Sequence, residues 1–215
     1  MKNKLRIRIA MMLVGIMMIA VCVTCYRLSG FGVDAFTGMN LGISGFAGSS
    51  FGTCQLLVNG LILAVVFFTV RHCIGAGTII NMVGVGYIAD FLCWLVLDVA
   101  GFTMTIPLRV IAVVLGTLFA GLGVALYMTA DMGIAPYDSV ALIIEKLAKG
   151  KVSFRAARIG SDLTALAIGV AFCLAAGNSI WTIIGIGTIC NSLLNGPLIQ
   201  FFREKLFKTF LKKKY

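Results

Sequence analysis

Charged residues are scarce in this chain, and acidic ones above all. Of its 215 residues, 12% are Asp, Glu, Lys or Arg and only eight are acidic, whereas a soluble domain carries about 25% charged residues. Several uninterrupted apolar runs approach the length of ~20 residues that a helix needs to cross a bilayer. The composition therefore excludes an ordinary soluble domain. It predicts an all-α polytopic membrane protein whose surroundings are the lipid bilayer.

Residues that bind metals or form disulfides are also few. The sequence has one histidine, and its seven cysteines are scattered, mostly within apolar runs and without metal-ligand spacing. An odd cysteine count of this kind argues against a disulfide framework or a zinc site. The sequence also has no nucleophile with its base, no phosphate loop and no dinucleotide fingerprint. We therefore expect a protein without a cofactor, a metal or enzymatic activity.

The apolar runs predict six membrane-spanning helices, with approximate limits 9–28, 54–70, 76–97, 106–128, 157–176 and 178–200. The first run is long for a signal peptide and ends without a small-residue cleavage site, so we interpret it as a retained span. With the N-terminus inside, sixteen of the eighteen Lys and Arg residues lie on the inner side, all except Arg27 and Arg109. This bias predicts that both termini are cytoplasmic. It also explains the net charge of +10 without a nucleic-acid partner.

An internal repeat relates the two halves of the chain. An offset of 101 residues aligns identical residues in both halves, namely Arg8 with Arg109, Gly15 with Gly116, Tyr26 with Tyr127, Gly32 with Gly133 and Leu41 with Leu142. The same offset aligns similar segments, namely Phe36 with Tyr137 and Gly84-Val85-Gly86 with Gly185-Ile186-Gly187. An insertion of two residues pairs Asn59 with Asp162.

Each half of the repeat holds three predicted spans. Because three is odd, the halves enter the membrane from opposite sides. Inverted repeats of this kind recur in transporters, with binding sites at the repeat interface and interrupted helices lining them. We therefore divide one membrane domain into a first repeat, 1–105, and a second repeat, 106–215, which ends in a basic tail.

A polar segment broken by glycine and proline, residues 130–138, stands out between apolar runs. Pro136 lacks an N–H and has a fixed φ, which suits the first turn of a helix. Asp138, two residues later, would lie near the positive end of that helix. The segment therefore predicts a loop at Gly133 followed by a short helix over about 136–148.

A weaker copy of this segment occupies residues 29–37. Here Asp34 is a candidate N-cap for a helix over about 35–45. With the predicted topology, this first copy lies at the outer face of the membrane and the second copy at the inner face. A re-entrant half-helix and a flat interfacial helix both remain open for each.

Two acidic residues lie inside predicted spans. Placing an ionisable group at depth costs ~2.5–3.5 kcal/mol on insertion scales, so such groups usually face a cavity or a partner. Asp90 and Asp162 are therefore either ligands for a cation, proton or substrate, or members of structural pairs. For Asp162 the structural partner would be Arg158 one turn earlier, and for Asp90 it would be Asn81 or Asn191. The full set of substrate-binding candidates is Asp34, Asp90, Asp131, Tyr137, Asp138 and Asp162, with Gly32, Gly133 and Pro136 shaping the broken segments.

The chain resembles a known group of proteins at the second broken segment. Asp131, Gly133, Pro136 and Asp138 match the Ala-Asp-x-Gly-x-x-Pro-x-Asp signature of the bacterial YczE/YyaS/YitT group of small integral membrane proteins. The resemblance covers residues 6–205, although the first copy keeps only Gly32 and lacks the proline. It implies a multi-pass protein of the bacterial cytoplasmic membrane, and it implies no substrate and no catalytic residues.

These observations lead to two hypotheses of different classes. The first is a transporter or exporter of a small solute, cationic or proton-coupled, with the broken segments shaping its path. The second is a non-transporting membrane partner that regulates another protein through its basic inner loop, which contains Lys146, Lys149, Lys151, Arg155 and Arg158. A homodimer and a complex with another membrane protein both remain open. Flux that depends on the acidic candidates would distinguish the first hypothesis from the second.

Overall fold

The computed structural model describes residues 2–149, 151–152 and 154–206, and this part of the chain is helical without any strand. Its α-helices are α1 Lys2–Ser29, α2 Ala35–Ala47, α3 Phe51–Thr69, α4 Ala76–Trp94, α5 Ile106–Ala130, α6 Pro136–Leu147, α7 Phe154–Ala175 and α8 Ile186–Leu206. A π-helical turn, Leu95–Val99, extends α4. Single 3₁₀ turns precede α4 and α8, at Arg71–Cys73 and Ile180–Thr182. The all-α prediction is confirmed for the described residues.

Five of the described helices are long and apolar enough to cross a membrane, namely Leu5–Ser29, Phe51–Thr69, Ala76–Val99, Ile106–Ala130 and Ala156–Ala175. They correspond to the first five predicted spans. The sixth prediction, 178–200, begins too early, because a 3₁₀ turn and a loop precede Ile186. Helix α8 has 21 residues, but its apolar run is interrupted by Asn191, Asn195, Pro197 and Gln200. The structure thus supports a polytopic membrane protein through five of the six predicted spans.

Helices α1 and α5 form the central pair of the fold, and they pack through glycine. A Cβ atom on Gly15 would lie 2.7 Å from the carbonyl oxygen of Gly123 and 2.8 Å from the amide nitrogen of Tyr127. A Cβ atom on Gly116 would likewise lie 3.3 Å from the ring of Tyr26. Small residues at such positions let membrane helices approach closely. Helix α4 packs against α1, and α8 packs against α5.

The two short helices lie against the remaining long ones. Helix α2 packs mainly on α7, while α6 packs on both α7 and α3. The contact between α2 and α7 also depends on glycine, since a Cβ atom on Gly169 would lie 2.7 Å from the carbonyl oxygen of Gly38. Both short helices begin and end within two residues of the predicted limits, at Ala35–Ala47 and Pro136–Leu147.

We expect Gly169→Ala to destabilise the protein, because the new methyl group would push against the backbone of α2. Overpacking of a tight contact costs roughly 1–3 kcal/mol. Gly160→Ala on the same helix is the matched control, since no heavy atom lies within 4 Å of its Cβ position. Thermal unfolding in detergent should show a lower Tm for Gly169→Ala and an unchanged or slightly higher Tm for Gly160→Ala. Equal values for the two variants would contradict this packing.

Candidate functional site

The loop that precedes α2 is held by backbone hydrogen bonds to the start of α8. The amide of Val33 donates to the carbonyl of Ile183 at 3.1 Å, and the amide of Gly187 donates to the carbonyl of Phe31 at 2.7 Å. The loop therefore has partners for its polar groups although it carries few polar side chains. These partners come from the other half of the chain.

The loop that precedes α6 makes the same contacts with the start of α4. The amide of Ile134 donates to the carbonyl of Cys73 at 2.8 Å, and the amide of Gly77 donates to the carbonyl of Met132 at 2.8 Å. Again the loop belongs to one half of the chain and its partners to the other. Each half thus holds the loop of its counterpart.

Residues Gly32 and Gly133, expected to shape the broken segments, occupy equivalent places in these two loops. Both have positive φ angles, 92° and 114°, which glycine adopts without steric cost. A side chain on Gly32 would clash with Gly185, and one on Gly133 would clash with Gly75. Pro136 is the first residue of α6, as predicted, and it is fully buried.

One sequence motif supports both loops. Residues 75–81 and 185–191 share the pattern Gly-x-Gly-Thr-Ile-x-Asn. In each copy the threonine hydroxyl accepts a hydrogen bond from the amide of the first glycine, at 3.1 Å for Thr78 and 3.2 Å for Thr188. In each copy it also donates to a carbonyl, that of Ile134 at 2.8 Å or that of Ile183 at 2.9 Å.

These contacts correct part of the sequence alignment. The offset of 101 residues pairs Gly185-Ile186-Gly187 with Gly84-Val85-Gly86, but the equivalent contacts belong to residues 75–77. The true offset at this motif is 110 residues. The shared Gly-x-Gly-Thr-Ile-x-Asn pattern was a signal that could have found it. A comparison of the two halves at one fixed offset misses this pattern, because the connection that precedes the motif is longer in the second half of the chain.

The first turns of α2 and α6 meet each other. The rings of Phe36 and Tyr137 stack with their centroids 4.3 Å apart and their planes at 21°. These are the two aromatic residues that the internal repeat aligns. The two broken segments, predicted for opposite faces of the membrane, are therefore in contact at their helix N-termini.

Beside this stack, Arg158 of α7 binds two carboxylates. Its Nη1 lies 2.8 Å from Oδ1 of Asp138, and its Nε lies 3.3 Å from Oδ2 of Asp162. The guanidinium also lies over the ring of Tyr137, 5.0 Å from the centroid. The Tyr137 hydroxyl donates to Oδ1 of Asp162 at 2.6 Å. The pairing of Asp162 with Arg158, expected under the structural alternative, is present as one part of a larger network.

Asp34 adds a third carboxylate to this network. It is the N-cap of α2, where its Oδ1 accepts a hydrogen bond from the amide of Thr37 at 3.0 Å. Burial raises the pKa of Asp34, hydrogen bonds from Thr37 lower it, and the charges of Asp162 and Arg158 raise and lower it respectively. Asp34 also lies two residues before Phe36, whose ring stacks on Tyr137 of this network. We call Asp34, Tyr137, Asp138, Arg158 and Asp162 the carboxylate cluster.

An apolar groove adjoins the carboxylate cluster. It has a volume of about 450 Å³ and lies between α2, α3, α6 and α7. Tyr137 belongs to both, because its ring lines the groove while its hydroxyl binds Asp162. The groove is lined chiefly by Met39, Val58, Ile62, Tyr137, Val140 and Ala165.

The two remaining candidates lie in separate ion pairs. Asp90 pairs with Nη1 of Arg27 at 2.7 Å and accepts a hydrogen bond from the amide of Gly52 at 2.6 Å. The prediction that Asn81 or Asn191 is its partner was therefore wrong. Sequence reasoning missed Arg27 because it lies 63 residues from Asp90 and on a different helix. Asp131 is 92% exposed and pairs with Arg8. Neither residue belongs to the carboxylate cluster.

We expect Arg158→Leu to lower the Tm more than Arg8→Leu does. Removal of Arg158 leaves two half-buried carboxylates without their cation, whereas Asp131 is solvated when Arg8 is removed. For Arg158→Leu, the decrease in the free energy of unfolding should fall between the ~0.2–1 kcal/mol of an exposed ion pair and the ~3–5 kcal/mol of a fully buried one. Thermal unfolding of both variants in the same detergent provides the measurement. An equal or smaller loss for Arg158→Leu would show that the cluster does not depend on its guanidinium.

Comparisons with known proteins support the assignment to a membrane protein family. The model of a family of unknown function, DUF6198, matches residues 6–204. The uncharacterized membrane protein YczE of Bacillus subtilis (strain 168) is 27% identical over 157 residues, which cover 72% of this chain and 65% of YczE, slightly less than two thirds of its length. The uncharacterized protein YyaS of the same organism is 26% identical over 207 residues, covering 93% of this chain and 94% of YyaS.

No solved structure matches the chain. The two relatives confirm the resemblance that the second broken segment indicated, and the family match extends over nearly the whole sequence. The chain therefore belongs to the family of unknown function DUF6198.

Proposed function

We propose that this protein transports a small cationic solute across a bacterial cytoplasmic membrane, with both termini in the cytoplasm. In this proposal α8 is the sixth span and the two halves form an inverted repeat. The observation that carries the proposal is the meeting of α2 and α6 beside the carboxylate cluster. We propose translocation rather than catalysis for this site.

The proposed topology makes both short helices re-entrant. Helix α1 would end at the outer face and α5 at the inner face, and the hydrocarbon core between them is ~30 Å thick. Phe36 and Tyr137 nevertheless stack at 4.3 Å, so the loops after α1 and α5 would run back into the bilayer. Helices of 13 and 12 residues are about 20 and 18 Å long at 1.5 Å per residue. Each would cross roughly half of the membrane, which favours half-helices over flat interfacial ones.

The electrostatics of such a site suit a cation. Two helix N-termini, which carry partial positive charge, would face each other and stabilise the carboxylates of Asp34 and Asp138. The cluster contains three carboxylates and one guanidinium, which binds two of them, so the cluster keeps a negative balance. Ionisable groups at membrane depth usually mark the paths of ions or substrates. Asp34, which caps α2 beside this cluster, is the candidate for coupling transport to protons.

Reporter insertions test the proposed topology. We expect alkaline phosphatase to be active when inserted after residues 48, 101 or 177, because these positions would lie outside. Green fluorescent protein should fluoresce when it is placed after residues 149 or 206, which would lie inside. Phosphatase activity at residue 206 would contradict a membrane-spanning α8, and with it the six-span arrangement.

Transport itself is tested in proteoliposomes. We expect a panel of organic cations to produce currents on solid-supported membranes, and Asp138→Asn to reduce the responding current at least about tenfold. Asp131→Asn is the matched control, because it removes an exposed carboxylate outside the cluster and should keep the wild-type current. Both variants should insert and remain monodisperse. Wild-type currents in Asp138→Asn and Asp162→Asn would remove these residues from the path.

A further inference from the structure

Two arginines occupy equivalent places near the starts of the two halves. The offset of 101 residues that pairs Arg8 with Arg109 also pairs Gly30 with Asp131. Gly30 directly follows α1 and Asp131 directly follows α5, and both have positive φ angles, 63° and 50°. The chain therefore turns in the same way after both helices. Each of these turns lies beside the arginine of the other half.

In the turn after α5 the arginine has a carboxylate partner. Nη2 of Arg8 lies 3.1 Å from Oδ2 of Asp131, and Nε of Arg8 donates to the carbonyl of Ala130 at 2.7 Å. A guanidinium presents its N–H donors in a rigid plane, which matches the oxygens of a carboxylate or a phosphate. The second half of the chain thus supplies the oxyanion for this position from its own sequence.

In the turn after α1 the corresponding carboxylate is missing, because residue 30 is glycine. A Cβ atom on Gly30 would lie 3.3 Å from Nη1 and 3.9 Å from Cζ of Arg109. The guanidinium is therefore within reach of any side chain at position 30. The carbonyl of Met104 accepts a hydrogen bond from Nε of Arg109 at 3.0 Å and orients the group. Within the described ranges, no carboxylate pairs with Arg109 and its Nη atoms have no acceptor.

The position of Arg109 in the membrane favours phosphate as the missing oxyanion. Arg27 and Arg109 are the two exceptions to the inner bias of basic residues, and of these Arg27 already pairs with Asp90. Helices α1 and α5 are long and apolar enough to cross a membrane, so the end of α1 and the start of α5 lie at a membrane surface. Lipid headgroups occupy this level of the bilayer. Arg109 is therefore a half-buried cation at the depth of the lipid phosphates.

We propose that Arg109, beside Gly30, binds a phosphate group. The phosphate lies relative to Arg109 as the carboxylate of Asp131 lies relative to Arg8, and the Nη donors bind its oxygens. A phospholipid headgroup and a soluble phosphate compound share this chemistry. None of these residues belongs to the carboxylate cluster, so the inference does not depend on the proposed transport.

Gly30→Asp tests the site, because it gives the first turn the carboxylate that the second turn has. Aspartate tolerates a positive φ angle, as Asp131 does here. Gly30→Asn is the matched control, with the same shape and no charge. Native mass spectrometry of the full chain in nonionic detergent measures the binding of dioleoylphosphatidylglycerol and of dioleoylglycerol, which lacks the phosphate.

We expect Gly30→Asn and the wild type to bind the phospholipid about tenfold more tightly than Gly30→Asp does, because charge-assisted hydrogen bonds contribute about that much affinity. Dioleoylglycerol should bind equally to all three. Basic residues elsewhere bind the phospholipid in all three proteins, so the difference between the variants reports on this site. Equal phospholipid binding by Gly30→Asp and Gly30→Asn would overturn a lipid phosphate at Arg109.

Inorganic phosphate distinguishes the two sources of the ligand. Its effect on the Tm is compared with that of sodium chloride at equal ionic strength. A higher Tm for the wild type and Gly30→Asn, but not for Gly30→Asp, would show that the site takes soluble phosphate. Phospholipid selectivity without this effect would assign the site to a lipid headgroup. If neither probe distinguishes Gly30→Asp from Gly30→Asn, the proposal is overturned.

A second pair of variants tests the site without a side chain at position 30. Arg109→Gln removes the guanidinium and should lower the affinity for the phospholipid by the same factor of about ten. Arg8→Gln is the matched control, because Arg8 already has the carboxylate of Asp131, and it should keep the wild-type affinity. Undiminished affinity in Arg109→Gln would contradict a phosphate site at this arginine.

Discussion

Backbone hydrogen bonds between the two halves are the constraint on which this structure depends. A buried N–H or C=O needs a protein partner, because water does not reach it. The loops before α2 and α6 have such partners, Ile183 and Gly187 in one case and Cys73 and Gly77 in the other. The glycines in these segments allow the backbones to approach. The meeting of the two short helices, and the site beside it, follow from these bonds.

The carboxylate cluster combines local and distant contributions. Asp34 is the N-cap of α2, and Asp138 lies in the first turn of α6. Helix α7 supplies both the cation and the third carboxylate, one turn apart. The packing of α6 against α7 brings Asp138 to the same guanidinium, and the packing of α2 against α7 brings Asp34 to this end of the cluster.

Local features of the structure were predictable from the sequence. Asp34 and Pro136 marked the starts of α2 and α6 because capping and the fixed φ of proline act within one turn. The spacing of Arg158 and Asp162 predicted their ion pair for the same reason. The sixth predicted span, 178–200, begins too early because its apolar residues do not reveal the 3₁₀ turn and the loop that precede Ile186.

Contacts between distant segments were not predictable in the same way. Nothing in the sequence near Asp90 points to Arg27. The position of residues 29–37 depends on hydrogen-bond partners that lie about 150 residues later in the chain. The alignment of Phe36 with Tyr137 was visible, but alignment does not imply contact. Their stacking shows that two residues paired by the internal repeat are also neighbours in the fold.

The exchange of loop contacts has a consequence for how the protein is made. When the first half leaves the ribosome, the segment around Gly32 has no partner, because Ile183 and Gly187 are synthesised later. That segment therefore stays without its partners until the residues at the start of α8 have been made. By the same logic, either half of the chain made alone would lack the partners of its own loop, and each half supplies the partners that the other lacks.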